Sequence, residues 1–540
     1  MRIVKYLPVF ITIFFLLLFH FIGNAQGISS FYTDLPLIII DTEGKTIVDE
    51  PKVSAKMKIV NNSSGVNRFT DTANDFNGNV GIELRGSSSI WYPQKPWLFE
   101  TRDAAGQNLD VSILGLPEEK DWILLSNYND KSLMRNILGY QIFEKLGNYA
   151  PRTKLVDVIL NNEYQGIYVL TEKIKQDSNR VDIAKLKKED ISGEELTGGY
   201  IFKIDYWDNS NSWQSPYSPV NYPNYKIHFV YHDPDWDEIT SQQKSYITNY
   251  VTSFEKALYS ANFRDENLGY ANFIDVKSFI DYFLVSEIAR NNDGFKKSQY
   301  FHKDKNGKIV AGPVWDFDWA WKNIDECFIF KATDGSGWAY KVNDCNPDVK
   351  SSDWMVRLFQ DDNFKNKVNC SYFEARANQF SNDVVFDMID SVYNVVKNAQ
   401  VNHFQKWQIL GKNVGAPEVD SQPSTYLGEI EKLKSWITLR LNWLDNNMIG
   451  KCSTVNTHQM AENLGIRIYP NPATDKLNIL SRETISSIRI FDLTGKTIFV
   501  NPSVNTSLIR IDVSAFLPGM YIVKMIDEKG NSVSEKIIVK

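Results

Sequence analysis

The sequence predicts an α+β protein in which a large main body precedes a small C-terminal β-sandwich. Its 540 residues are 43% hydrophobic and 23% charged, which is typical of globular chains long enough for two or more domains. In the main body, alternating strand patterns are mixed with segments of helical spacing. Near Ile466 the pattern changes to short alternating strands separated by Asn-Pro, Thr-Gly, Pro-Gly and Lys-Gly turns.

The main body, residues 36–450, begins with strands. The stretches "NVGIELRGSSS" and "KPWLFETRD" predict strands around a serine-rich turn, and "DWILLSN" predicts a third strand. In "NDKSLMRNILGYQIFEKLG" the apolar residues have helical spacing, with Asn129 or Asp130 as the N-cap. The stretches "KLVDVILN" and "YQGIYVLTEKI" then predict a hairpin that turns at Asn162 and Glu163.

A second hairpin, after a helix-rich region, brings two acidic residues together. Its strands are "SQYFHK" and "KIVAGPVW", and the Asn-Gly pair in the connecting turn supplies the positive φ that a tight turn needs. Asp293 precedes the first strand and Asp316 follows the second. Antiparallel pairing therefore predicts that both acids lie near one end of one sheet.

The stretch "GPVWDFDWAW" sets Asp316 and Asp318 one residue apart in an apolar, aromatic run. In an extended segment both carboxylates point to the same side, which is costly unless a cation or hydrogen-bond donors lie between them. This pattern favours a divalent-metal site. The structural alternatives are that the two acids cap turns or pair with Lys322, and that Asp293 is a turn residue.

Kinase-type phosphoryl transfer uses one carboxylate to hold a divalent cation and another to orient a hydroxyl. Lys95, in "PQKPWLF", is placed where a lysine would neutralise nucleotide phosphates. The chain resembles the CotH kinase family, atypical secretory protein kinases. That resemblance rests, in order, on "ELRGSSSIWYPQKPW", "NDKSLMRNILGY", "NEYQGIYVLTEKI" and "NNDGFKKSQYFHKDKNGKIVAGPVWDFDWAW".

The resemblance implies a protein-kinase-like, two-lobed main body. Its expected reaction transfers the γ-phosphoryl group of ATP, bound with Mg²⁺ or Mn²⁺, to Ser or Thr hydroxyls of a secreted or surface protein. By the same resemblance Asp293 is the catalytic residue and Asp316 binds the metal. Asp318 either shares the metal or hydrogen-bonds the backbone. The residues expected at the nucleotide are Arg85, Ser87, Ser88, Lys95 and Glu172. The serines replace a G-x-G-x-x-G loop, which the main body lacks.

Other functions stay open at the level of sequence. One is a catalytically inactive, kinase-like binding or structural protein of the cell surface. The segment "YWDNSNSWQSPYSPVNYPNY" could then bind glycans, although it could also be a lid over an acceptor site or pack on the helices. Another is a glycoside hydrolase that uses Asp293 and Asp316 as paired acids.

Both ends of the chain predict export. Residues 1–25 have the basic start, apolar run and small residues of a signal peptide, with a membrane anchor of marginal length as the alternative. Residues 466–540 resemble the type IX secretion sorting domain, on "YPNPATDKLNI", "IFDLTGK" and "LPGMYIVKM". This resemblance implies recognition by the type IX secretion machinery. Residues 451–465 are the predicted linker.

Composition also excludes several classes of protein. The net charge of -7 argues against a general nucleic-acid binder, and scattered histidines without a Cys/His cluster argue against zinc. No later segment approaches a membrane-spanning length, so no stable span is expected in the mature chain. The four cysteines allow up to two disulfides, among which Cys327 with Cys345 is the favoured pair.

Overall fold

The computed structural model describes residues 28–452, 466–493, 495–504, 506–528 and 532–540. The predicted signal peptide and residues 453–465 of the predicted linker lie outside these ranges. The chain divides after Gly450 into two compact units. The first unit mixes strands and helices, and the second is rich in β-strands. In the part of the chain that is described, no helix is both long and apolar enough to cross a membrane.

A closed barrel forms the start of the first unit. Its strands follow the order β2-β3-β5-β6-β7-β9-β8, antiparallel throughout except where β2 and β8 close the barrel in parallel. Large side chains such as Phe99, Trp122 and Tyr168 fill its interior. The strands of this region are β1 Tyr32–Thr33, β2 Leu37–Asp41, β3 Val53–Val60, β4 Asn67–Arg68, β5 Phe76–Leu84, β6 Trp97–Arg102, β7 Asp121–Ser126, β8 Thr153–Leu160 and β9 Glu163–Glu172.

The first helix, α1, begins later than the sequence predicts. It spans Arg135–Lys145 with Met134 at the N-cap, so neither Asn129 nor Asp130 caps it. Asp130 instead accepts hydrogen bonds from the backbone N–H groups of Ser132 and Arg135 and forms a buried ion pair with the Arg135 guanidinium. The carboxylate therefore organises the turn before the helix, because a buried charge needs a buried partner.

The predicted hairpins are present. In β8–β9 the turn lies at Asn161 and Asn162, both with positive φ, one residue earlier than expected. In β13–β14 the strands pair antiparallel, with Phe301 opposite Ala311. This hairpin belongs to a five-stranded sheet of order β11-β12-β10-β13-β14. The strands of this sheet are β10 Tyr200–Ile204, β11 Ser212–Gln214, β12 His228–Asp233, β13 Gln299–Lys303 and β14 Ile309–Ala311.

Helices pack around this second sheet. The central one is α3, in which every residue from Ser278 to Ile288 is buried. Beside it, Arg440 of α8 forms a fully buried ion pair with Glu287 of α3 at 2.8 Å. The remaining helices of the first unit are α2 Ser241–Tyr259, α3 Val276–Ile288, α4 Trp354–Leu358, α5 Asp362–Ala377, α6 Asn382–Val396, α7 Gln400–Lys406 and α8 Tyr426–Asn447.

The favoured disulfide between Cys327 and Cys345 is present, and Cys370 and Cys452 are also disulfide-bonded. In the second unit, β16 is the central strand and pairs with β15, β17, β18 and β19, while β20 extends the sheet from β19. Its strands are β15 Arg467–Tyr469, β16 Lys476–Asp492, β17 Thr497–Asn501, β18 Thr506–Asp512, β19 Gly519–Asp527 and β20 Ser532–Val539.

Candidate functional site

A polar cavity of about 610 Å³ lies in the first unit. Most of its lining comes from four stretches of chain: the serine-rich turn after β5, the end of β10 with the loop that follows, the loop after α3, and the segment after β14. Residues of other elements, among them Asn136 of α1 and Val230 of β12, complete the lining. The structure thus brings Asp293, Asp316 and Asp318 into one cavity with Ser87 and Ser88. Arg85 lines the same cavity.

The loop after α3 holds Asp293 in place through its neighbours. Asn291 accepts a hydrogen bond from the Asp293 backbone N–H at 3.1 Å and donates one to the Asp316 backbone carbonyl at 3.0 Å. Arg290 has positive φ and is buried, and its guanidinium donates to the carbonyl oxygens of Ala332 and Ser336. Arg290 is therefore a structural support of the loop.

Two lysines flank the Asp293 carboxylate. The Lys296 and Lys297 ammonium groups lie 3.3 and 3.4 Å from its two oxygens. Burial raises the pKa of Asp293, and the charges of Lys297 and Lys296 oppose this shift. The result is a buried carboxylate with cations beside it and a higher proton affinity than a solvated aspartate.

Asp316 is held in a conformation that non-glycine residues rarely adopt, with φ of 68°. Ser298 donates a hydrogen bond to its carboxylate at 3.2 Å. Burial raises the pKa of Asp316 well above its usual range, and repulsion from Asp318 and Asp293 raises it further. A backbone strained into this position beside two other acids is a common feature of functional sites.

The donor set suits a hard divalent cation. Asp318 presents a second carboxylate, which accepts a hydrogen bond from Asn129 at 3.1 Å. Among the described residues there is no group of three or more His, Cys, Asp or Glu side chains arranged as a complete metal cage. Two carboxylates nevertheless fit Mg²⁺, which usually keeps waters and takes substrate phosphate oxygens as its other ligands.

The serine-rich turn brings backbone close to the cavity. Gly86 has φ of 102°, and a Cβ there would lie 2.2 Å from the Ser89 hydroxyl, so glycine is required. The Arg85 guanidinium lies over the Trp315 ring at 5.3 Å from its centroid. A cation and small hydroxyl side chains at the wall of this cavity form an environment that can bind phosphate.

Two residues predicted for the nucleotide site lie elsewhere. The Lys95 ammonium donates to the Ile90 carbonyl at 2.7 Å, and Lys95 does not line the cavity. Glu172 is completely buried and pairs with Arg152 at 2.6 Å, also away from the cavity. Lys203, on β10, does line the cavity, with its ammonium 2.7 Å from Asp205.

Sequence reasoning missed several charged residues that line the cavity, among them Lys203, Lys296, Lys297 and Glu326. Lys296 and Lys297 carried a usable signal, because they follow Asp293 by three and four residues. Lys203 carried none, since only the pairing of β10 with β13 brings it to the cavity. Glu326 is polar and lies near the favoured disulfide in sequence, but nothing in that pattern indicates its position in space.

The aromatic segment Tyr206 to Tyr225 divides between two roles. At its start, Tyr206 and Trp207 line the cavity and are 47% and 43% exposed. The Lys297 ammonium donates to the Tyr206 hydroxyl at 3.3 Å. Further along, Tyr217 stacks on Tyr259 of α2, so this part packs on the helices. Packing on the helices therefore explains the aromatic residues in the later part of the segment but not the exposed pair at its start.

Comparisons with known proteins match two families along the chain. The family model described as CotH kinase protein matches residues 82–444, and the secretion system C-terminal sorting domain matches residues 467–540. An endo-acting ulvan lyase of Formosa agariphila is 32% identical over 103 residues, which are 18% of this chain and 20% of the lyase. The chain therefore matches about a fifth of the length of that relative.

Two solved structures show limited similarity to the chain. One is PorZ, a surface component of the type IX secretion system of Porphyromonas gingivalis, with 25% identity over 15% of this chain and 12% of PorZ. The other is a DUF3244 family protein of Bacteroides vulgatus with an immunoglobulin-like β-sandwich, with 18% identity over 15% of this chain and 88% of that one. The TM-score is 0.13 in both cases.

Proposed function

The chain belongs to the CotH kinase family, and from that premise we propose that it is an exported atypical protein kinase. Its C-terminal sorting domain indicates secretion to the cell surface or exterior. The proposed reaction transfers the γ-phosphoryl group of ATP to a Ser or Thr hydroxyl of a secreted or surface protein. The observation that carries the proposal is the meeting of Asp293 and Asp316 in one polar cavity of about 610 Å³.

In this reaction the acceptor oxygen bonds to the γ-phosphorus while the bond to the bridging oxygen of ADP breaks. The hydroxyl proton passes to Asp293, which orients the acceptor. The charges of Lys297 and Lys296 favour the ionised form of the Asp293 carboxylate, while burial raises its pKa and so its proton affinity, which a general base needs. Positioning and electrostatic stabilisation supply most of the rate in such transfers.

Asp316 and Asp318 are the residues that would hold Mg²⁺ or Mn²⁺. The cation would relieve the repulsion among the three carboxylates and neutralise charge on the phosphates. Arg85, Ser87 and Ser88 would bind phosphate oxygens from the other wall of the cavity. We assign phosphate neutralisation to Lys203 and Lys297 in place of Lys95, because both line the cavity and Lys95 does not.

A two-lobed, kinase-like arrangement is part of the same proposal. The barrel with α1 would form the nucleotide-binding lobe, and the helix-rich region from α2 to α8 would form the lobe that carries Asp293. Support comes from the serine-rich turn of the barrel, which faces the acidic loops within one cavity. Glu172 would stabilise the barrel through its ion pair with Arg152.

The test is phosphoryl transfer by the full chain. Purified protein would be incubated with γ-labelled ATP, Mg²⁺ or Mn²⁺, and proteins secreted by the same cells. Label transfer by the wild type, lost in Asp293→Asn and Asp316→Ala but kept in the exposed control Asp325→Asn, would support the kinase. A folded wild type that transfers no label and gains no thermal stability from ATP with metal would refute it.

A second candidate is a kinase-like surface protein that binds glycans. The observation in its favour is the pair of exposed aromatic side chains, Tyr206 and Trp207, at the mouth of the cavity. Glycan retention that is lost in Trp207→Ala and unchanged in Asp293→Asn would favour this function over phosphoryl transfer.

A further inference from the structure

Glu326 contacts the loop that carries Asp293 at two points. Its carboxylate lies 3.1 Å from the Lys296 ammonium and accepts a hydrogen bond from the Asn292 side chain at 2.6 Å. Lys296 is itself 3.3 Å from Asp293. Lys296 thus lies between two acids. Removal of Glu326 would leave Lys296 with Asp293 as its one remaining acidic partner among these two.

Glu326 lies in a turn that a disulfide connects to a later segment of the helical region. The next residue, Cys327, is bonded to Cys345 at the end of the 3₁₀ helix Ala339–Cys345. The first two backbone N–H groups of that helix donate to the Glu287 carboxylate at 3.0 and 2.8 Å. The disulfide therefore fastens the Glu326 turn to a helix that is anchored on α3.

Resting on the proposed kinase function, we propose that Glu326 is a positioning residue for Asp293 and that the Cys327–Cys345 disulfide holds Glu326 in place. Full activity then requires the oxidised chain. When the disulfide forms, the two thiols lose two electrons and two protons to a disulfide-bearing oxidant of the exported compartment. The enzyme would reach full activity only after it has left the cytoplasm.

Loss of Glu326 should affect Asp293 because Lys296, which lies between them, is buried. Its side chain is 7% exposed, so its ammonium depends on fixed partners and not on water. With Glu326 in place, Lys296 divides its interaction between two carboxylates. Without Glu326, Lys296 would pair with Asp293 alone and draw that carboxylate away from the acceptor hydroxyl. Displacement of a reacting group by about 1 Å costs on the order of 100-fold in rate.

The first test compares Glu326→Gln with Asp325→Asn in the full chain. Asp325 is the neighbouring acid, 65% exposed, and pairs only loosely with Lys331 at 3.8 Å. We expect kcat of Glu326→Gln to fall about tenfold with little change in KM for ATP, and Asp325→Asn to match the wild type. Equal kcat in the two variants would overturn the role of Glu326.

The pH profile separates positioning from simple loss of structure. The Glu326 charge raises the pKa of Asp293, so its removal lowers that pKa. The acidic limb of the kcat profile of Glu326→Gln should therefore move to lower pH, and that of Asp325→Asn should not. An unmoved limb, with kcat reduced, would mean that Glu326 acts only on stability and would overturn the proposal.

The disulfide is tested with the double variant Cys327→Ser/Cys345→Ser, alone and combined with Glu326→Gln. If the disulfide acts through Glu326, its removal lowers kcat in the otherwise wild-type chain but lowers kcat little further in the Glu326→Gln background. If the losses of kcat from the cysteine substitutions and from Glu326→Gln multiply in the combined variant, the proposed link between the disulfide and Glu326 is overturned. The thermal midpoint of each variant shows whether it is folded at the assay temperature.

Hydrogen exchange gives a reading that needs no activity. Exchange of the backbone amides of residues 291–298 should become faster in Glu326→Gln and in the double cysteine variant, but not in Asp325→Asn. Unchanged exchange would overturn the proposal even if the wild type transfers phosphate. A wild type without transfer, but with this exchange pattern, would refute the kinase function and leave the positioning of the loop standing.

Discussion

Asn291 donates a hydrogen bond from its side-chain Nδ2 to the backbone carbonyl of Asp316 at 3.0 Å, across 25 residues of sequence. Its Oδ1 accepts from the Asp293 backbone N–H. One buried amide side chain thus joins the loop of the proposed general base to the segment of the proposed metal ligands. The spacing of the two acidic groups depends on this asparagine.

Replacing Asn291 with alanine should therefore impair both loops. We expect a loss of about 1–3 kcal/mol in unfolding free energy, because buried partners on Asp293 and Asp316 are left unsatisfied. The rate of label transfer should fall more than stability alone explains. Asn446→Ala is the control, since that exposed side chain bonds only to the Asn442 carbonyl of its own helix. Chemical denaturation and transfer assays on both variants make the comparison.

Without metal, Asp316→Asn should stabilise the protein at neutral and alkaline pH. The folded-state pKa of Asp316 is raised, so its ionisation in the fold is unfavourable and stability is lost as pH rises through that pKa. The gain in thermal midpoint should shrink as pH falls toward the ordinary aspartate range. A gain that is constant with pH would show that ionic repulsion is not its cause.

With Mg²⁺ and ATP, the wild type should instead become more stable than a variant that lacks the Asp316 carboxylate. If Asp316 and Asp318 hold the cation as proposed, Mg²⁺ with ATP would stabilise the wild-type protein by binding its folded state, and Asp316→Ala would lack one of the two ligands. We expect the midpoint shift with ATP and Mg²⁺ to disappear in Asp316→Ala and to shrink in Asp318→Asn. Differential scanning fluorimetry with Mg²⁺ alone, ATP alone and both together separates the contributions. An undiminished shift in Asp316→Ala would place the metal elsewhere.

Lys203→Met and Lys95→Met should differ in nucleotide affinity. Lys203 lines the cavity, while the Lys95 ammonium bonds to the Ile90 carbonyl. Loss of a charged hydrogen bond, worth about 1.5–3 kcal/mol, would weaken ATP binding by roughly 10- to 100-fold in Lys203→Met. Lys95→Met should bind ATP as the wild type does. Calorimetry with ATP and Mg²⁺ tests both, and the reverse result would restore Lys95 as the phosphate-binding lysine.

Deletion of residues 467–540 should abolish delivery to the cell surface without unfolding the main body. The sorting-domain match covers these residues, and the first compact unit ends earlier, at Gly450. Protease shaving of intact cells should remove the full-length protein but not the truncated one. Surface exposure of the truncated chain would mean that another segment directs export.

Local pattern was sufficient for much of the fold. Alternation and an Asn-Gly turn predicted the β13–β14 hairpin, because both its strand period and its turn geometry are local properties. The predicted start of α1 was wrong. Asp130 is a residue type that favours the N-cap, but its carboxylate forms a buried ion pair with Arg135. That pairing depends on burial, which a local pattern does not contain.

The sequence by itself determined the acids of the candidate site and the order of the elements that carry them. Asp293 and Asp316 flank a hairpin, and antiparallel pairing brings the ends of a hairpin together wherever it lies in the fold. Two other features of the cavity, the position of Lys203 and the contact between Glu326 and Lys296, were decided by tertiary structure. Lys203 reaches it through pairing of β10 with β13, and Glu326 and Lys296 meet through a turn fastened by a disulfide. Such contacts join segments distant in sequence, so their geometry exists only once the chain has packed.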